Sequence, residues 1–179
     1  CALIPRSLKS YSVALTPKDL VTGCPARWKN SHFIDAMLHI YQEHFPFKQE
    51  LYLVSSQQDP KPDIITKSIP CGKTMVFAPV WDDGHWSAVF LDARPGHECI
   101  YYLDSDLPYE VIRSKHVAVF QKAYPDFPIH IVACMKQDDE FSCGTYVIYW
   151  AYCLLFDRPR LLCMSPAMIR EFRNLCRLQ

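Results

Sequence analysis

Gln137-Asp-Asp-Glu-Phe-Ser-Cys143-Gly144 leads directly into the apolar run Tyr146 to Phe156, and this junction decides how the chain is read. The run is apolar on every side, so a helix starting near Cys143 has no face suited to water and belongs at the centre of the molecule. Just upstream, Ile129 to Ala133 reads as a short, buried strand. A cysteine where a strand gives way to a buried helix faces unpaired backbone N–H groups and the positive end of the helix dipole. Both favour the thiolate, the form that attacks carbonyl carbon. Gly144 follows it and lets another backbone come close. The plainer reading of Ser-Cys-Gly is one more buried cysteine at a helix start, so the rest of the chain has to discriminate.

Working back from this junction, three strands precede it. Met75 to Val80 is the first, and Asp82-Asp83-Gly84 reads as a turn. His85 to Leu91 is the second, Pro95-Gly96 a second turn, and Cys99 to Leu103 the third. Tyr109 to Tyr124 shows helical spacing through Val111, Ile112, Val117 and Phe120. Nearer the start, Phe33, Ile34, Met37, Leu38 and Tyr41 recur at helical spacing, with Asn30 or Ser31 as the cap and Pro46 as the stop. Residues 49 to 54 fit a strand or a short helix, and Ser55 to Ser68, with Pro60 and Pro62, reads as a surface loop. A last helix is expected over Pro166 to Cys176. Helices, then antiparallel strands, then a strand feeding a buried helix make an α+β chain. Residues 1 to 20 read as a lead-in punctuated by Pro5 and Pro17, and 21 to 179 as one domain, a fitting size for 179 residues.

Composition narrows the function classes. Lys plus Arg and Asp plus Glu both number 19, which gives no electrostatic footprint for nucleic acid or for an anionic membrane. The longest apolar run has 11 residues, against the roughly 20 that span a bilayer. Cys1 to Ser10, with Pro5, Arg6 and Lys9 in a mixed background, does not read as a secretory leader. The nine cysteines are odd in number and include no C-x-x-C pair, so neither a zinc site nor a disulfide scaffold is expected. Most read as buried, reduced thiols in an intracellular protein, cytoplasmic or nuclear. No metal or cofactor is expected, and the chain reads as a monomer.

Among seven histidines, His85 stands apart because it opens a strand directly after a turn, where a side chain meets solvent and substrate. Asp104 ends the next strand, and a hairpin-like pairing would bring the two within reach. The carboxylate would then fix the imidazole tautomer. Asp106 and Asp92 are rivals for that role; Asp92 lies at the far end of the strand that His85 begins. The Gln137 side-chain amide, with the Cys143 backbone N–H, could bind the oxyanion of a tetrahedral intermediate.

The order His85-Trp86, Asp104-Ser105 after Tyr101-Tyr102-Leu103, and Gln137-x5-Cys143-Gly144 resembles the adenain/Ulp1-like cysteine proteases. Trp28-Lys29-Asn30-Ser31-His32-Phe33-Ile34 is similar to the helix start of the Ulp1 branch, departing from it at Lys29 and at Ser31. The resemblance covers roughly residues 25 to 176. It implies a papain-like α+β fold with a central, mostly antiparallel sheet and the nucleophile at the N-terminus of a buried helix. It also implies His85, Asp104, Gln137 and Cys143 as the catalytic set. Trp28 and Trp86 would cover a narrow channel for a Gly-Gly tail, beside Gly144. The implied substrate is a ubiquitin-like protein or its conjugates. A viral or transposon polyprotein protease of the same fold and a YopJ-like acetyltransferase are the alternatives.

Overall fold

A computed structural model of the chain describes residues 31–47, 49–56, 72–106, 115–132, 136–156 and 165–175. The lead-in, Trp28, most of the expected loop at 55–68, the first part of the helical stretch from Tyr109, Ala133 and Cys176 lie outside these residues. The elements are α1 (Ser31–His44), β1 (Leu51–Leu53), β2 (Met75–Asp82), β3 (His85–Asp92), β4 (Cys99–Leu103), α2 (Lys115–Ala123), β5 (Ile129–Val132), α3 (Cys143–Leu155) and α4 (Pro166–Leu175).

The five strands form one sheet in the order β1-β2-β3-β4-β5. Its centre is antiparallel, β2 against β3 and β3 against β4, while both outer pairings, β1 with β2 and β4 with β5, are parallel. The sheet is therefore mixed. The parallel pairing of β5 follows from α2, since a chain that must return to start a neighbouring strand in the same direction needs a crossover. The β2–β3 connection is the opposite case. Asp83 and Gly84 both adopt positive φ, 48° and 79°, giving a two-residue hairpin turn whose twist matches the strands. That turn sets Asp82 opposite His85 and Trp81 opposite Trp86.

Period-2 alternation divides the core between the two sheet faces. Met75, Phe77, Trp86, Ala88, Phe90 and Leu103 pack with α1, α3 and α4. Val76, Ala78, Val80, Val89, Leu91, Ile100 and Tyr102 pack on the other face with Val117 and Phe120 of α2. Covered on both faces, β3 is buried at all eight positions. Helix α3 lies between β3 and the pair α1 and α4, which is why only Tyr152 and Leu154 keep partial exposure along it. A helix apolar all round has nowhere else to go. At the sheet margin, Asp35 of α1 accepts hydrogen bonds from the Ser55 hydroxyl and the Ser56 N–H, both 2.8 Å, fastening the chain beyond β1 to the helix.

One expectation fails in detail. Ile129 to Val132 was expected to be buried, yet none of its residues is, and His130 is exposed. Among the described residues β5 is an edge strand, paired with β4 alone.

Candidate active site

His85 is the first residue of β3 and Asp104 follows the last residue of β4, so both sit at the same end of two paired strands. Parity places Asp104 on the same face as Tyr102 and His85 on the same face as Val89. His85 Nε2 lies 2.8 Å from Asp104 Oδ1, and both residues are buried. An acceptor-only carboxylate requires the proton to be on Nε2. That leaves Nδ1 unclaimed by the carboxylate, and Cys143, the first residue of α3, is within electrostatic reach of the ring. The Asp104 carboxylate is filled from two further directions, by the Tyr102 hydroxyl on Oδ2 and the Asp106 N–H on Oδ1, each at 2.9 Å.

The charges follow from these contacts. Burial opposes a charged ring at His85, but its hydrogen bond to Asp104 and the electrostatic pull of Asp104 and Cys143 outweigh it and lift the imidazole to about 9. Burial likewise opposes charge at Asp104, and the hydrogen bonds from His85, the Asp106 N–H and Tyr102 reverse the balance. Its carboxyl is held below the usual carboxylate range. The pair is thus an imidazolium on a carboxylate at neutral pH.

The segment 137–142 is organised by side-chain bonds where no regular element forms. Gln137 donates its amide to the Asp139 carbonyl at 2.7 Å and accepts the Ser105 hydroxyl at 2.7 Å, and its backbone N–H donates to the Ser105 carbonyl at 2.8 Å. An amide NH2 carries two hydrogens, so one remains to donate elsewhere. The Asp139 carboxylate accepts the backbone N–H groups of Phe141 and Ser142, at 3.0 and 2.7 Å, and the Ser142 hydroxyl at 2.5 Å. Ser142 is the N-cap residue of α3, but its hydroxyl does not cap the helix. It serves the aspartate instead.

The structure therefore hydrogen-bonds His85 to Asp104, brings Cys143 within electrostatic reach of the imidazole, and anchors Gln137 in the segment leading to Cys143. Gly144 is the second residue of α3 and is buried. Trp86 is buried against the exposed Trp81, ring centroids 4.9 Å apart. Trp28 lies outside the described residues. Neither rival acid faces His85. Asp92 holds Arg94 through three contacts, from its backbone N–H at 3.1 Å and its guanidinium at 2.9 and 2.5 Å, and Asp106 pairs with Lys136 at 3.4 Å. No cluster of three or more side chains able to hold a metal occurs among the described residues.

Five contributors escaped the sequence reading: Tyr102, Ser105, Asp139, Trp81, and Arg173 of α4, whose guanidinium meets Ser142 and Asp139. Two were legible in principle. Tyr102 lies two residues before Asp104, hence on the same strand face, and a two-residue Asp83-Gly84 turn dictates that Trp81 opposes Trp86. Ser105, Asp139 and Arg173 carried no such signal, since Ser105 meets Gln137 across 32 positions and the meeting of Asp139 with Arg173 depends on how α4 packs.

Neither a protein-family model nor a curated protein sequence matches the chain. Solved structures do. The Ulp1 protease domain in complex with Smt3, the yeast ortholog of SUMO, is similar at TM-score 0.70 and 19% identity, over 90% of this chain and 80% of that one. The Ulp1-like SUMO protease catalytic domain of Chaetomium thermophilum is similar at TM-score 0.63 and 14% identity, over 86% and 72%. An ASFV protease is similar at TM-score 0.59 and 16% identity, over 89% and 69%. At these identities the likeness is one of fold, and it agrees with the mixed sheet, the buried α3 and the position of Cys143 at its start: the chain has the Ulp1-type cysteine-protease fold.

Proposed function

We propose that the protein is a cysteine peptidase acting on the C-terminal tail of a ubiquitin-like modifier, with Cys143 as nucleophile and His85 as base and acid. The observation that carries this is the buried His85–Asp104 pair, with Cys143 in electrostatic reach of the imidazole at the start of α3. A protonated imidazole beside the sulfur stabilises the thiolate, which attacks the scissile carbonyl carbon. The oxyanion so formed accepts hydrogen bonds from the Cys143 N–H and the remaining amide hydrogen of Gln137. His85 then protonates the departing amine, leaving a thioester on Cys143. In the second half, His85 takes a proton from water, hydroxide adds to the thioester, and collapse returns the thiol and a carboxylate product. Asp104 holds the ring in the orientation and tautomer this requires throughout.

The Cys143 thiol has no exposed surface. Such a nucleophile suits a thin, extended substrate better than a bulky one, and a Gly-Gly tail is the thinnest available. The fold shared with an Ulp1 domain solved together with Smt3 supports the same substrate class. A second reading, maturation of a viral polyprotein, is favoured by the likeness to the ASFV protease. A panel of ubiquitin-like proteins with electrophilic C-termini separates them. Capture of one modifier by wild type but not by Cys143→Ala supports the first reading. Absence of capture with cleavage of an internal Gly-Gly-x peptide supports the second.

A further inference from the structure

We infer that Arg173 is a positioning residue for the proposed reaction: from α4 it holds the Asp139–Ser142 segment that sets both oxyanion donors. The inference rests on the peptidase reading for its consequence in catalysis, but its geometry does not. Arg173 is 3% exposed, an unusual place for a guanidinium unless it is paired. Its Nη2 donates to the Ser142 hydroxyl and lies 3.5 Å from Asp139 Oδ2, and its guanidinium carbon sits 5.1 Å from the centre of the Phe141 ring. Three of the four residues before Cys143 therefore meet one buried side chain.

The bonding is complementary at each atom. Ser142 accepts from Arg173 and donates to Asp139, so its single hydroxyl links cation and anion. Asp139 in turn fixes the backbone of Phe141 and Ser142, and hence the entry to Cys143, whose N–H is one oxyanion donor. The same residue's carbonyl takes the Gln137 amide, the other donor. Both donors thus depend on where Asp139 sits, and Arg173 and Ser142 hold its carboxylate. A nearby contrast is available. Arg170, one turn earlier on α4, pairs with Asp138 at 2.7 and 2.9 Å but is exposed, and solvent screens that contact.

The test compares Arg173→Met, Arg173→Lys, Ser142→Ala and the control Arg170→Ala. Three quantities are read: kcat and KM per mole of folded protein on a fluorogenic Gly-Gly peptide, the rate of Cys143 alkylation by iodoacetamide, and the melting temperature. Loss of position near the reacting atoms lowers kcat by about 10²-fold with KM little changed. Arg173→Met is expected to show that loss and slower alkylation, Arg173→Lys to recover part of both, and Arg170→Ala to match wild type. A lowered melting temperature with wild-type kcat per folded molecule overturns the inference, because a merely structural arginine behaves that way. Should Arg173→Met not fold, Ser142→Ala decides, and a wild-type kcat for it is equally fatal. Alkylation needs no peptide. Slower alkylation of Arg173→Met, in a protein whose wild type cleaves no Gly-Gly substrate, sinks the peptidase reading and leaves the positioning role standing.

Discussion

Asp104 meets His85 at 2.8 Å with its second oxygen already occupied by Tyr102, so the carboxylate cannot turn away from the ring without abandoning a buried hydroxyl. This relationship makes the acid separable from its rivals. Asp104→Asn keeps the shape but loses the charge, and an amide offering its NH2 to Nε2 favours the wrong tautomer. A fall in kcat of up to about 10⁴-fold is expected, as for other triads. Asp92→Asn and Asp106→Asn are expected near wild type. Steady-state kinetics on the three variants check this, and a crippled Asp106→Asn with an active Asp104→Asn would mean that the acid is misassigned.

Tyr102→Phe is the milder probe of the same relationship. It removes one hydrogen bond to a charged group, worth about 1.5–3 kcal/mol in general. With the Asp106 N–H still in place, Asp104 stays near His85, so the expected result is a measurable loss of stability and a smaller loss of kcat than Asp104→Asn causes. Denaturant melts and kinetics on the one variant give both numbers.

The pH profile follows from the sign of the His85 shift. Its folded value is raised, from 6.5 to about 9, so the folded protein holds this proton more tightly than the unfolded chain does. The stabilisation is complete below the unfolded value of 6.5 and is lost as pH rises through about 9. Turnover should fall over the same alkaline limb, because the imidazolium that protonates the leaving amine disappears. In Asp104→Asn, which deletes one of the two negative partners, the limb should move to lower pH. A limb that stays put in that variant would assign the titration to another group.

How much of this was visible beforehand depends on the kind of signal. The two turns were legible because Asp82-Asp83-Gly84 and Pro95-Gly96 are local signals, and α3 because its apolar residues leave no polar face. His85, which begins a strand, Asp104, which follows one, and Cys143, which begins a helix, could be placed for the same reason. The exposure of β5 could not, since Ile-His-Ile-Val looks the same at an edge as in the interior. Nor could the Arg173–Ser142–Asp139 cluster. Residues 31 positions apart, joined only by the angle at which α4 packs on α3, share no periodicity.

Gln137 is held so that its amide is oriented before substrate arrives. Gln137→Ala should lower kcat by roughly 10²–10³-fold with little change in KM. Ser105→Ala, which frees only the amide oxygen of Gln137, should give a smaller loss in the same parameter. A raised KM with unchanged kcat for Gln137→Ala would make it a contact residue.

The substrate channel gives the last prediction. On the proposed reading the substrate tail passes along a wall of flat rings: Trp86 follows His85 directly, is buried, and packs against the exposed indole of Trp81. A glycine backbone can lie along such a wall, and an added methyl group has to push it back. Overpacking of this kind generally costs about 1–3 kcal/mol, or roughly 5- to 150-fold in efficiency. Cleavage after Gly-Gly should therefore exceed cleavage after Ala-Gly by a factor in that range, in paired assays on one fluorogenic tail. Trp86→Ala should weaken Gly-Gly turnover and narrow the difference. It also removes a core side chain, a loss of about 3–5 kcal/mol for a buried aromatic, so its rates need normalising to the folded fraction. Trp81→Ala has no such complication, being exposed, and a partial narrowing there would show that the stacked pair acts as one wall. Equal efficiencies for the two tails in the wild type would remove the channel, and with it the reason to prefer a modifier tail over an internal polyprotein site.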